Sequence, residues 1–368
     1  MKKFLLSIVL IFLLFTTSVM GQEISDPTND ILNDILTASE NIQINHINLS
    51  EDIEKIANGT FSFHFNTVLR WITDMLIQEC RENIGLLIKI LVLAVLAGVL
   101  CNLQHSASGN NISEISFIAC FSIVAGLSVN IIAGLNDLAV SSIDNMMLLI
   151  AGLMPIMSSM IVTANITAFS GFYPGLFIAM QSFIAICKSI MLPLIMVMTA
   201  LSVVNTISNR FHITRLIDLT RQAVKWGLGL LLTIFVGILG MHSLSAGATV
   251  GIAGRTVRYA LCNFIPLVGN VLAESAEAVI DSIRLLRSIV GVAGVLALLS
   301  LVCLPLIKII ATSVLYRFAA GITEPATDKR IVRLLMDISG NITLIFSILL
   351  MVTVMFVISI ALLCVFIV

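Results

Sequence analysis

Beyond residue 83 the sequence is a succession of apolar runs of about twenty residues parted by short polar breaks, and this pattern leaves few folds open. A run of that length crosses a bilayer as a helix. Inside lipid, a single chain satisfies its backbone polar groups only in helices or in a closed barrel. Runs at 84–103, 114–135, 189–205, 226–245, 288–312 and 341–366 read as spans. The stretch 146–186 reads as a hairpin or two spans, divided by Pro155 and by the turn Gly171-Phe172-Tyr173-Pro174-Gly175. The stretch 259–287 reads as re-entrant or interfacial. Charged residues are 11% of the chain and hydrophobic residues 58%, against about 25% charged in a soluble domain. The expected class is an all-α polytopic membrane protein with about six to eight full spans in a transmembrane domain over residues 84–368.

Two segments precede that domain. Residues 1–21 have the form of a signal peptide: Lys2 and Lys3, an apolar core from Phe4 to Phe15, and small or tolerated residues before cleavage at Gln22. Residues 22–83 carry eleven acidic and three basic residues. Apolar residues recur there at helical spacing, as at Ile31, Leu32, Ile35 and Leu36, and again at Val68, Leu69, Ile72, Met75 and Leu76. This is expected to be a small extracytoplasmic set of amphipathic helices whose apolar faces need the membrane, each other or a partner.

Charge sets the orientation. Arg210, Arg215, Arg221 and Lys225 cluster in the loop 209–225, and Arg317, Lys329, Arg330 and Arg333 in 313–340. By the positive-inside rule both are cytoplasmic. They can share a side only if an even number of crossings lies between them, so 259–287 is expected to enter and return or to lie at the surface. Residues 136–145, with Asp137 and Asp144 and no basic residue, are expected outside.

The chain also reads as a tandem repeat with a unit of roughly 110 residues, each copy holding broken or re-entrant helices. Pro155 pairs with Pro266 at the two interruptions, and Pro193 with Pro305 in the following run. Arg215-Leu-Ile-Asp218 is echoed by Arg333-Leu-Leu-Met-Asp337. Pro266 and Gly269 break the opening of the second interruption. Glu274, Glu277 and Asp281 then follow at spacings of three and four, which sets three carboxylates on one helical face. They are the candidate functional residues, either lining an ion or proton path or forming the wet face of an interfacial helix.

No catalytic signature is present, nor a phosphate-binding loop. The scattered cysteines and histidines show no metal-ligand spacing, and no basic patch with interleaved aromatics suggests nucleic acid. Catalytic, cofactor and metal residues are therefore expected to be none.

Asn263-Phe-Ile-Pro-Leu-Val-Gly269, Gly291-Val-Ala-Gly294, Leu304-Pro-Leu-Ile-Lys308, Tyr316-Arg317, Glu324-Pro325, Asp328 and Arg330, with the signal-like start, the acidic outer segment and the number of apolar runs, resemble the stage III sporulation protein AE family of endospore-forming bacteria. The likeness covers nearly the whole chain and is densest from Gly247 to Arg333. Arg255 and Arg258 stand where lysines are expected, which keeps the charge. The resemblance implies a non-enzymatic subunit, scaffold or export-gate-like, of the channel complex joining mother cell and forespore. It implies residence in the mother-cell membrane surrounding the forespore. The implied partners are other stage III sporulation proteins, including a secretion-type ATPase, ring-forming proteins and a forespore-side partner; a homo-oligomer is left open. A secondary transporter moving a small solute or ion through the duplicated broken-helix core is the alternative.

Overall fold

The structure is a computed structural model that describes residues 65–106, 111–163, 172–207, 213–246, 269–325 and 327–365. The expected signal peptide, most of the segment 22–83 and Pro266 lie outside the described residues. Among those described, every element is helical. In chain order they are α1 Phe65–Glu82, α2 Ile84–Ser106, α3 Asn111–Thr163, α4 Phe172–Ile186, a π turn Cys187–Met191, α5 Leu192–Ile207, α6 Thr214–Ala246, α7 Gly269–Thr323 and α8 Lys329–Val365. Five stretches are long and apolar enough to span a bilayer: Ile118–Leu153, Gly175–Ile207, Thr214–Leu239, Ala293–Thr323 and Lys329–Ala361. A sixth results if the pair Thr73–Glu82 and Leu87–Val99, bent by 52°, counts as one span.

Several expected breaks are helix. Residues 136–145, read as an outer loop from their polarity, continue α3. The reason lies in the spacing: Leu135, Ala139, Ile143, Met146 and Ile150 recur every three or four residues and all are buried, while Asp137, Ser141 and Asn145 fall on the exposed flank. Pro155 lies within the range of α3 and does not end it. The boundary expected between 287 and 288 is interior to α7, which runs unbroken from Gly269 through Pro305 to Thr323 and makes no return. The loop expected over 313–340 shrinks to residues 324–328, and most of 209–225 is the start of α6.

The break expected at Pro193 takes another form. Proline has no N–H to donate and its ring crowds the preceding turn. The helix meets this just upstream, where the Leu192 N–H bonds the Cys187 carbonyl five residues back, so that α4, the π turn and α5 run on without a break and supply the 33-residue span Gly175–Ile207.

The core centres on α8. Ile338, Ile342, Ile345, Leu349 and Val352 are fully buried or nearly so, and burial continues around the helix, as expected of a helix apolar on all sides. It packs antiparallel to α7: Ser313 meets Ser339 and Thr343 near one end, and Gly294 sits beneath Ile360 near the other. The α7–α8 turn is pinned at both sides. The Asp328 carboxylate accepts the Arg330 N–H at 2.8 Å, an N-cap for α8, and the Thr327 hydroxyl donates to the Ala94 carbonyl of α2 at 3.0 Å.

Candidate functional site

Polar side chains inside this bundle gather at the end where the two short connections lie. Leaving α5, Asn205 accepts the Ile213 N–H at 3.0 Å and exchanges a bond with the Thr214 hydroxyl, which closes the connection into α6. Two turns into α6, Arg221 reaches Asp337, itself two turns into α8, with Nη2 to Oδ1 at 3.3 Å. The two side chains are 24% and 22% exposed. Because both helices start at their connections, this ion pair puts the α5–α6 and α7–α8 turns at the same end of the bundle. Asp218 is a second, looser counter-ion at 3.8 Å and is itself exposed. Gly340 underlies the guanidinium: a Cβ there would stand 3.5 Å from Nη2.

One turn further along α8, Asn341 is fully buried and donates to the Thr199 hydroxyl of α5 at 3.1 Å. Thr199 has already spent its own proton on the Ile195 carbonyl, so its oxygen can only accept, and the amide orientation is determined. The Asn341 Oδ1, the Ser202 Oγ one turn from Thr199, and the Arg221 Nε are buried with no partner among the described residues. On the other flank of α8 the Ser313 hydroxyl bonds the hydroxyls of Ser339 and Thr343, and Arg317 donates to Ser339 at 3.0 Å. Tyr316, fully buried, bonds Ser128 of α3 at 3.3 Å. These contacts tie α3, α5, α6, α7 and α8 together by hydrogen bonds, the usual adhesive of helices in lipid, where apolar burial alone does not drive association.

A second feature was not expected from the sequence. Lys188, inside the π turn, forms an ion pair with Asp144 of α3. Met146 of α3 lies 3.9 Å from the Thr353 hydroxyl, and Thr353 is the middle of the charge-free stretch 338–368. The pair therefore sits at the depth where α8 is most apolar. The signal available beforehand was Lys188 itself, the one charged residue in the apolar stretch Gly175–Ile207.

The residues singled out earlier are dispersed. Pro193 follows the π turn and Pro305 is interior to α7. Gly269 opens α7, and Glu274, Glu277 and Asp281 fall on its first turns, far along the helix from Arg317 and the polar end. Among the described residues no group of three His, Cys, Asp or Glu is placed to hold a metal ion.

No solved structure matches the chain significantly. A relative from Bacillus subtilis (strain 168), stage III sporulation protein AE, is 26% identical over 303 residues, covering 82% of this chain and 76% of that protein. The family model described as stage III sporulation protein AE matches residues 47–366. That match takes in every described helix, and the chain belongs to the stage III sporulation protein AE family.

Proposed function

We propose that this sporulation membrane protein is a non-catalytic subunit of the channel complex joining mother cell and forespore, acting as a scaffold or export-gate-like core in the mother-cell membrane. The observation that carries this reading is how the bundle uses its polar groups. Arg221, Asp337, Asn341, Arg317 and Tyr316 are engaged in helix-to-helix bonds, which suits a rigid frame on which other subunits assemble. A tandem duplication with both halves in one orientation is part of the proposal, and the two connections meeting at one end of the bundle support it. Energy and ring formation fall to partners, a secretion-type ATPase and ring-forming proteins, with residues 22–83 as the docking segment.

A second reading, a secondary transporter, is favoured by the ion pair of Lys188 and Asp144 at a π turn. Ionisable groups at membrane depth and π turns both recur at functional sites. One pair of experiments separates the two. Replacing Glu274, Glu277 and Asp281 together by their amides leaves assembly and sporulation intact if the chain is a scaffold, and abolishes function if carboxylate-coupled transport is its task. Solute uptake by the purified protein alone in liposomes would overturn the scaffold reading.

A further inference from the structure

Two charged side chains in the apolar zone of the bundle have no partner among the described residues: Asp137 on α3 and Lys308 on α7, both exposed. Their depth follows from contacts that bracket them. Asp137 lies between Ser128, which meets Tyr316, and Met146, which meets Thr353. Lys308 lies between Gly294, which meets Leu153 and Ile360, and Ser313, which meets Thr343. Starting from the Ser128–Tyr316 bond, Asp137 is nine residues along α3 and Lys308 eight residues back along antiparallel α7. At 1.5 Å per residue these are rises of about 13 Å and about 12 Å, so the two charges share one depth.

They do not share a face. Nine residues is two and a half helical turns, so Asp137 is on the side of α3 turned away from α7. Lys308 stands on an outer flank of α7 beside exposed Leu304. The body of α3 therefore stands between Asp137 and α7.

The flank of α3 that carries Asp137 is shaped to receive another helix. Ser122, Gly126, Asn130, Ala133, Asp137 and Ser141 follow one another at spacings of three or four and stand exposed or half-exposed. Four of them line an open groove of about 480 Å3 against Val203 and Ile207 of α5. Small residues let helix backbones approach closely in lipid. A bare carboxylate or ammonium at this depth is costly, and an opposite charge at matched depth removes most of that cost.

We propose that copies of this chain associate side by side in the membrane, with Lys308 of one copy seated against Asp137 in the α3 seam of the next. The contact is heterologous, because the two charges lie on different flanks, and such contacts propagate into rings when the rotation closes. A two-fold α3–α3 contact in parallel would set Asp137 against Asp137, so charge disfavours it. The inference does not depend on the channel-complex role.

The test uses the full chain in membranes, as two co-expressed copies with different tags, and a photo-cross-linking amino acid in place of Ala133. The expected product carries both tags. Asp137→Lys or Lys308→Glu alone should lower its yield by about tenfold, and the two reversals together in each chain should restore it. The neutral variants Asp137→Asn and Lys308→Gln add no charge, and each should weaken the band. A product that lacks the second copy, a yield that both neutral variants leave unchanged, or failed restoration in a double variant that melts like the parent would each overturn the proposal.

Discussion

The tie between the two hairpins can be measured through Arg221 and Asp337. Two unit charges 3.3 Å apart attract by about 5 kcal/mol at an effective dielectric near 20. Desolvation offsets much of this. Exposed pairs contribute about 0–1 kcal/mol, whereas breaking a buried pair costs about 3–5 kcal/mol. With side chains 22–24% exposed, the pair belongs between these limits, and a coupling energy of about 2 kcal/mol is expected, roughly thirtyfold in an equilibrium constant. The single variants should differ. Asp337→Asn leaves Arg221 with Asp218 still 3.8 Å away, whereas Arg221→Gln leaves Asp337 with no ion-pair partner among the described residues. Arg221→Gln is therefore the more damaging. The assay is a double-mutant cycle on purified protein in detergent, read as unfolding by sodium dodecyl sulfate followed by circular dichroism. A coupling below about 0.5 kcal/mol, or Asp337→Asn costing more than Arg221→Gln, would refute the view that this ion pair clamps the two connections.

Further outcomes follow from the same geometry. Asn341→Asp removes the donor to Thr199 and buries a carboxylate, so it should destabilise by about 3 kcal/mol or more at neutral pH. Thermal unfolding of parent and variant in detergent checks this. Gly294→Leu drives a side chain into Leu153, whose Cδ1 is 2.9 Å from where a Cβ would stand. It should lower stability by about 1–3 kcal/mol. Gly340→Ala, where the nearest atom is 3.5 Å away, should stay within about 0.5 kcal/mol in the same thermal assay.

Much of the fold was open to reading from residue order. The apolar runs gave helices, because lipid leaves the backbone no other partner. The helix start at Asp328 and Lys329 falls inside the loop expected over 313–340. Three of the residues that carried the family likeness have structural contacts: Tyr316 bonds Ser128, Arg317 bonds Ser339 and Asp328 caps α8. Reading failed where polarity and periodicity disagreed. Asp137 and Asp144 suggested a loop, while Leu135, Ala139 and Ile143 kept a helical face in the core, and the face prevailed because one flank of a long helix can be polar without ending it. The candidate carboxylates Glu274, Glu277 and Asp281 share a stripe by spacing alone, which says nothing about what the stripe meets.

The amino-acid order by itself determined the class and, within a helix, the face on which each residue falls, since these depend only on helical rise, helical period and the cost of unpaired backbone in lipid. Which faces meet was decided by tertiary structure. Arg221 finds Asp337 across 116 residues, and Lys188 finds Asp144 across 44. Such pairings depend on how far one helix slides along another, and that is set by the joint packing of side chains from several helices, Gly294 under Leu153 and Ile360 among them.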